Sequence, residues 1–436
     1  MFHMRCYQWL RHTFFPLFLI LFTPLIVIIF WYTNVFLGGS IWAFWKLVEG
    51  QGFFQTLWQI CSPIMFGSPT AWKMILVFAL LQLGLMKVVP GSVFYGPETS
   101  TGHTPQYKAN GFFCYLITLA CFYLGGFHWK LFSPTLIYDH FGELLGALNC
   151  FSLIFCLLLY FKGRFIPSTA DSGSSGNFIF DYYWGTELYP RLGGWDVKQF
   201  TNCRFGMMSW PLIILSFAAK QNELYGLTNS MAVSLLLQFI YITKFFIWET
   251  GYLRSLDIMH DRAGYYICWG CLVWVPGIYT SPSLYLVNHP NQLNSIVAFS
   301  ILFVGASAIL INFWADRQRQ IVRLKNGLCN IWGKPAQISK ARYVSHDGKI
   351  KENILLVSGW WGIARHFHYI PEIIGALCWT LPALFDNFIP YFYVIFLTIL
   401  LIDRAFRDER RCSKKYGEDW KVYCHRVPYK IFPYVV

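Results

Sequence analysis

Seven titratable side chains follow one apolar segment and its exit in the second half of the chain. Titratable groups in an apolar segment are costly unless they line a polar cavity or have partners. They are therefore candidates for acid–base chemistry in a pocket, although lysine and arginine also snorkel to a membrane interface and pair locally. Two of the acids are four residues apart and share a helical face if the helix continues that far. The seven are Tyr241, Lys244, Glu249, Arg254, Asp257, His260 and Asp261.

Two pairs of charged residues nearer the C-terminus are each spaced four residues apart. Arg319 and Arg323 form one pair, and Arg404 and Asp408 form the other. Residues at this spacing project from one face of a helix. Two guanidinium groups on one face suit phosphate oxygens, because arginine is a forked donor with a permanent charge. The alternative is a collar of positive charge that contacts lipid headgroups.

The elements that must position these residues are predicted to be membrane-spanning helices. Of the 436 residues, 56% are hydrophobic, 20% are aromatic and only 13% are charged, whereas about a quarter of the residues of a soluble protein are charged. Apolar windows of about 20 residues are long enough to cross a bilayer. They predict an all-α polytopic protein with about ten transmembrane helices, near residues 14–36, 72–89, 111–130, 143–161, 207–220, 229–249, 265–287, 294–314, 370–384 and 387–402.

The distribution of positive charge predicts the orientation of these helices. Residues 316–351 and 403–430 each hold nine lysines and arginines, which together make 18 of the 35 in the chain. By the positive-inside rule both stretches face the cytoplasm, and ten spans also place both termini there. We expect one domain over residues 1–436, with eight helices in 1–315 and a cytoplasm-facing loop and C-terminal cofactor-binding part in 316–436.

Several function classes find no support in the sequence. Motifs of the GxGxxG, GxxxxGK[ST] and HExxH types are absent, which argues against soluble nucleotide-binding and metalloprotease proteins. The net charge of +13 is explained by the basic stretches that are predicted to face the cytoplasm, so no nucleic-acid partner is expected. His366 and His368 have no third ligand at a suitable spacing, so no metal is expected. A transporter would need a repeat of its two halves, which is not evident.

Longer motifs give the chain a family resemblance. They are LLVSGWWGIARHFHY at 355–369, DRAFRDERRC at 403–412, KYGEDW at 415–420 and RVPYKIFP at 426–433. Together they resemble the sterol reductases, a family that includes the C-14 sterol reductases and the membrane domain of the lamin B receptor. The resemblance covers nearly the whole chain. The stretches NGLCNIWGKP at 326–335 and SFAAKQ at 216–221 are similar to the branch that acts on the C7–C8 bond.

The resemblance implies NADPH-dependent reduction of a sterol carbon–carbon double bond by protonation and hydride transfer, with the C7–C8 bond expected. The C-14 or C-24 bond, or a non-catalytic sterol-binding scaffold, are the alternatives. Tyr241 aligns with the family tyrosine implied in proton delivery, and Glu249, Asp257, His260 and Asp261 would relay protons or stabilise the cation. The implied NADPH site consists of Arg319, Arg323, Leu356, Trp361, His368, Arg404, Asp408 and Tyr416.

Five positions depart from the family pattern. Tyr189, Trp248 and His368 stand where the family pattern has Asn. Lys244 and Cys271 stand where it has Asp. These departures leave the position of the reduced bond open. A membrane methyltransferase of the isoprenylcysteine type has a similar C-terminal helical pocket, but the full-length resemblance argues against it.

The resemblance also bears on partners and location. The expected partners are a sterol substrate and membrane lipid, with the oligomeric state left open. The implied location is a multi-pass membrane protein, in the endoplasmic reticulum if the source is eukaryotic and in the inner membrane if it is bacterial.

Overall fold

The protein is mostly helical in a computed structural model that describes residues 8–99, 101–345 and 348–435. Among these residues, seven helices are long and apolar enough to cross a membrane. We number them α1 to α7: Leu10–Phe36, Pro69–Val88, Gly111–His128, Phe141–Phe165, Asn229–Ile247, Ser295–Leu324 and Ile389–Tyr416. Each coincides with a predicted window, and the predicted all-α polytopic membrane fold is confirmed.

Three predicted windows have a different structure. The window at 207–220 lies in helix Met207–Tyr225, which follows the π-helix Gln199–Gly206. The window at 265–287 is divided between the π-helix Tyr265–Tyr279 and the short helix Ser281–Val287. The window at 370–384 holds helix Tyr369–Thr380 and the 3₁₀ turn Leu381–Ala383. The count of ten spans therefore stays a prediction.

Shorter helices connect the long ones. Side chains of Ser40, Ser68 and Thr228 each accept a hydrogen bond from a backbone N–H three residues on, as N-cap residues do. The short helices are Ile41–Gln51, Phe53–Cys61, Leu136–Asp139, Phe178–Trp184, Glu249–Tyr252, Leu256–Met259, Trp360–Ile363 and Glu418–Arg426.

In the described part of the chain, the strands form four antiparallel hairpins. In the second of them, Gly193 and Gly194 both have positive φ, as a two-residue hairpin turn requires. The largest, which we call the C-terminal hairpin, pairs Ile338 with Leu356 at its open end. The paired strands are Ser92–Tyr95 with Gln106–Ala109, Arg191–Leu192 with Trp195–Asp196, Asn330–Ile331 with Lys334–Pro335, and Ile338–Val344 with Ile350–Leu356.

The chain forms two compact units. The first, here the N-terminal unit, contains the chain up to Gln292 together with Ala383–Pro390. The second, here the C-terminal unit, contains Leu293–Pro382 and Tyr391–Val436. The predicted division at residues 315 and 316 falls inside α6, and the prediction of one domain over the whole chain stays a prediction.

Candidate functional site

The predicted proton-handling residues lie in the N-terminal unit, and the predicted cofactor residues lie in the C-terminal unit. In the C-terminal unit, the last turns of α6 carry Arg319 and Arg323 on one helical face. The C-terminal hairpin ends at Leu356, and the segment after it supplies Trp361 and His368. Helix α7 supplies the remaining three, Arg404, Asp408 and Tyr416.

Arg319 and Trp361 form the best-defined contact of this group. The guanidinium carbon of Arg319 lies 4.3 Å from the centroid of the Trp361 ring, which is close enough for a cation–π interaction. Its Nη2 also lies 3.2 Å from Oδ1 of Asp316. The indole is fixed in turn, because its Nε1 donates to the carbonyl of Ala315 at 2.6 Å. Trp361 packs in one apolar cluster with Leu356.

His366 and Asp408 lie beside this contact. Asp408 accepts hydrogen bonds from Arg411 at 2.6 and 3.2 Å, and its other oxygen is 3.8 Å from Nε2 of His366. Burial nevertheless lowers the pKa of His366 to about 4, because desolvation outweighs the attraction of Asp408. The imidazole is therefore neutral at pH 7. Its ring stacks on Tyr369 with centroids 5.2 Å apart.

A second pair is formed by Arg365, which precedes His366, and Glu409, which follows Asp408. Arg365 donates to Glu409 at 3.0 Å and to the carbonyls of Val427 and Pro428 at 2.6 and 2.9 Å. Glu409 also accepts from the indole of Trp420 at 2.9 Å. Arg365 and His366, which follow the C-terminal hairpin, thus lie beside Glu409 and Asp408 of α7. These contacts fix the position of the α7 segment that carries Asp408.

The remaining predicted cofactor residues surround this arrangement. Arg323 is exposed and interacts electrostatically with Arg319 and Tyr416. The hydroxyl of Tyr416 accepts a hydrogen bond from Asn353 at 2.8 Å. The ring of His368 lies 4.9 Å from that of Trp361. Arg404 is partly buried one turn before Asp408 on α7.

In the N-terminal unit, Glu249 is committed to a buried ion pair. It pairs with Arg204, and the two side chains are 3% and 0% exposed. Its other oxygen accepts from the backbone N–H of Gly111 at 2.9 Å, while Arg204 also donates to Asn110 at 2.8 Å. A Cβ atom at Gly111 would lie 2.6 Å from that carboxylate oxygen, so only glycine allows this approach.

Asp257 and Asp261 are both buried around a lysine that the sequence analysis missed. The ammonium of Lys198, itself fully buried, donates to the carbonyls of Ile258 and Asp261 at 2.6 and 2.8 Å, and reaches that of Asp257 at 3.3 Å. Burial lowers the pKa of Lys198 to about 8. The backbone of the turn that carries both acids is thereby tied to one cation.

Near Lys198 lies the buried carboxyl of Asp196, which accepts from the Gln199 N–H at 2.8 Å. Its Oδ2 has no hydrogen-bond partner among the residues that the structure describes. Burial raises the pKa of the Asp196 carboxyl. His260 is exposed, and it lies between the two buried acids in sequence.

Tyr241 lies on α5, half-buried between an indole and a lysine. The centroid of the Trp210 ring is 5.8 Å from that of Tyr241. The ammonium of Lys244 lies 5.0 Å from the Tyr241 centroid. The phenol therefore has an aromatic wall and a cation within contact distance.

Partners contributed from distant parts of the chain were missed by sequence analysis. Arg204, Lys198 and Arg365 hold candidate residues or their segments through side-chain contacts. Each is a basic residue that the structure buries. Lys198 and Arg204 lie in a polar stretch with Asp196, Gln199 and Asn202, so nothing in the local sequence distinguishes them or identifies their partners.

The chain is similar to known proteins over nearly its full length. Residues 18–436 match the model of the "Ergosterol biosynthesis ERG4/ERG24 family". It is 50% identical over 421 residues to the 7-dehydrocholesterol reductase of Arabidopsis thaliana, covering 95% of both chains. It is 42% identical to the 7-dehydrocholesterol reductase of Xenopus laevis, covering 83% of this chain and 78% of the relative. It is 38% identical to the Delta(14)-sterol reductase of Methylotuvimicrobium alcaliphilum, covering 84% of each chain.

Proposed function

The chain belongs to the ergosterol biosynthesis ERG4/ERG24 family, and on that premise we propose that it is an NADPH-dependent reductase of the sterol C7–C8 double bond. The observation that carries the proposal is the full-length similarity to the plant 7-dehydrocholesterol reductase, which exceeds that to the Delta(14)-sterol reductase. Reduction of a sterol double bond is the chemistry that the names of both relatives share. The position of the bond follows the more similar relative.

The chemistry of the substrate determines what the site must supply. An isolated sterol double bond is not electrophilic, so hydride does not add to it directly. Its π electrons must first bond a proton at one carbon, which leaves a carbocation at the other. A positioned acid and a pocket that excludes water favour this step. When bound, NADPH supplies the hydride that completes the reduction.

The side chains of the C-terminal unit fit a phosphorylated dinucleotide. Arg319 is held against the Trp361 ring, and Arg323 is exposed on the same helical face. Two such guanidinium groups are forked donors for phosphate oxygens. An arginine near the ribose is also a physical reason to prefer the 2′-phosphate of NADPH. We assign Leu356, Trp361, His368, Arg404, Asp408 and Tyr416 to the rest of this site.

We assign proton delivery to Tyr241 in the N-terminal unit. A neutral phenol has a reference pKa near 10 and keeps its proton at neutral pH. Asp257, His260 and Asp261 relay protons to it or stabilise the carbocation in this scheme. Glu249 has a positioning role, because Arg204 and Gly111 occupy its two oxygens. After the transfer the phenolate regains its proton through these relay groups, which take it from solvent outside the pocket.

Product analysis tests the proposal. Membranes that contain the protein are incubated with NADPH or NADH and with sterols unsaturated at C-7, C-14 or C-24, and the products are identified by mass spectrometry. We expect the C-7 substrate to be saturated, with NADPH preferred. Saturation of the C-14 substrate instead would assign the reaction to that bond. If neither cofactor is oxidised with any of the sterols, the protein is a non-catalytic scaffold.

The variant Tyr241→Phe tests the acid. Only a hydroxyl is lost, so sterol and cofactor binding should stay nearly unchanged while turnover falls by about 10²–10⁴-fold, the usual contribution of a positioned proton donor. Near-normal turnover in this variant would contradict the assignment and move the acid to His260 or a neighbouring carboxylate.

A further inference from the structure

A buried chain of side-chain hydrogen bonds ends at the indole that contacts Tyr241. Nε1 of Trp210 donates to Oε1 of Gln238 at 2.8 Å. Nε2 of Gln238 donates to the hydroxyls of Ser283 and Ser234, at 2.7 and 3.0 Å. The side chains of Trp210, Gln238, Ser234 and Ser283 are all fully buried. One amide group therefore connects three helical segments in the interior of the N-terminal unit.

The spacing of residues on α5 places Tyr241 in the same arrangement. Ser234, Gln238 and Tyr241 are separated by four and three residues, so they lie along one face of the helix. The face that holds Gln238 against Trp210 is thus also the face from which the phenol projects. The centroid of the Trp210 ring lies 5.8 Å from that of Tyr241. It lies 5.3 Å from that of Tyr279, and those two ring planes are 80° apart.

The hydrogen bond to Gln238 fixes the direction of the indole. An indole ring packed only by apolar contacts can tilt when a substrate enters, whereas a donated hydrogen bond in a low-dielectric interior is directional and costly to break. Gln238 cannot turn its amide over either, because the indole N–H needs an acceptor and the Gln238 NH₂ group also donates to the backbone carbonyl of Ser234 at 3.3 Å. The Gln238 amide is therefore hydrogen-bonded at both its oxygen and its nitrogen. It holds in place the Trp210 ring that faces Tyr241.

We propose that Trp210 is a positioning residue that sets the direction of the Tyr241 hydroxyl, and that Gln238 holds Trp210 in place for this task. The inference rests on the proposed function, in which Tyr241 gives a proton to a sterol carbon. A misplacement of about 1 Å in a reacting group can reduce a rate by about 100-fold. Trp210 does not itself exchange a proton, since its indole N–H is donated to Gln238.

Three variants separate positioning from general stability. Gln238→Leu removes the amide and leaves the N–H of Trp210 without this acceptor. Gln238→Glu keeps an acceptor for Trp210 and, while its carboxyl is protonated, a donor for Ser283. Asn149→Leu is the matched control, because the buried indole of Trp269 donates to the Asn149 amide at 3.0 Å in the same unit.

The first readout is kinetic. We expect Gln238→Leu to lower kcat by about 10- to 100-fold with little change in the KM for the sterol, and Asn149→Leu to lower thermal stability without this loss of kcat. Gln238→Glu should recover activity as the pH is lowered and its carboxyl becomes protonated. Equal losses of kcat in Gln238→Leu and Asn149→Leu, or wild-type kcat in Gln238→Leu, would overturn the inference.

The second readout does not depend on turnover. In protein labelled with 3-fluorotyrosine, the ¹⁹F resonance that disappears in Tyr241→Phe belongs to Tyr241. We expect it to shift in Gln238→Leu and to stay in place in Asn149→Leu, and an unmoved resonance in both would overturn the inference. Absence of sterol reduction by the wild-type protein would overturn the proposed function instead, while this resonance still decides the positioning role.

Discussion

Replacing Glu249 with glutamine tests whether this residue holds the structure or takes part in proton transfer. The substitution removes the charge that balances Arg204 but keeps an oxygen that can accept from the Gly111 N–H. Because the two side chains are only 3% and 0% exposed, the remaining guanidinium cannot be rehydrated without disturbing the interior. Removing one partner of a buried ion pair costs about 3–5 kcal/mol. We expect a loss near 3 kcal/mol, because the backbone hydrogen bond is kept.

A second variant distinguishes the two roles of Glu249. In Arg204→Met/Glu249→Gln both charges are gone, and replacing a buried ion pair by residues without charge is often neutral in stability. Asn110 loses one donor in this variant, which costs about 1–3 kcal/mol. If Glu249 only positions, the double variant should therefore regain part of the lost stability, and its turnover per folded molecule should approach that of the wild type.

The assay combines thermal unfolding of the purified protein in one detergent with turnover normalised to folded protein. Glu187→Gln serves as the control, because the buried Glu187 also forms an ion pair in the N-terminal unit, at 2.7 Å from the partly exposed Lys162. A stable double variant that is inactive would show that the Glu249 carboxylate takes part in the chemistry. Unchanged stability of the single variant would refute the energetic reasoning.

Three further outcomes concern the C-terminal unit. Replacing both Arg319 and Arg323 with alanine should reduce the preference for NADPH over NADH, whereas an equal loss with both cofactors in steady-state assays would indicate a lipid-facing collar. Arg404→Gln or Asp408→Ala should weaken NADPH binding by about 1.5–3 kcal/mol, the worth of one charge-assisted hydrogen bond, and calorimetry showing unchanged affinity would contradict this. Burial lowers the pKa of His366 from 6.5 to about 4, so its neutral form contributes stability above pH 6.5 that is lost as the pH falls towards 4. His366→Asn should therefore show a flatter dependence of the unfolding temperature on pH in this range, and an unchanged slope would exclude His366 as its source.

The fold was predictable where the sequence satisfies one strong constraint. A segment in lipid must pair its own backbone groups, so a long apolar window implies a helix. Seven windows became α1 to α7 for this reason. The window at 265–287 shows where the argument weakens, because Pro276 and Pro282 remove backbone donors and the segment divides into a π-helix and a short helix. Apolar composition alone does not report such a division.

The site was predictable by residue type but not by partner. Asp257 and Asp261 were expected to share a helical face if the helix continued, but helix Leu256–Met259 ends between them. Their common feature is instead Lys198, about 60 residues earlier, which binds the backbone of their turn. Sequence spacing indicates which residues are neighbours on one helix or strand, whereas the partners of a buried cation are determined by tertiary packing. The same reason hid Arg204 as the partner of Glu249.

Two departures from the family pattern place an aromatic ring beside a cation. Tyr189 stands where the family resemblance implies Asn, and its ring lies 5.1 Å from the ammonium of Lys198. Lys244 stands where the resemblance implies Asp, and its ammonium lies 5.0 Å from the Tyr241 ring. The second departure adds two units of positive charge beside the proposed acid.

This added charge is compatible with proton delivery by Tyr241. A cation near the phenol stabilises the phenolate that remains after the transfer, and it opposes the positive charge that forms on the sterol. Coulomb energy falls with distance, and Lys244 contacts the ring of Tyr241 itself. Under the proposed function, this ammonium would therefore act more strongly on the phenolate left by the transfer than on a carbocation that forms farther away.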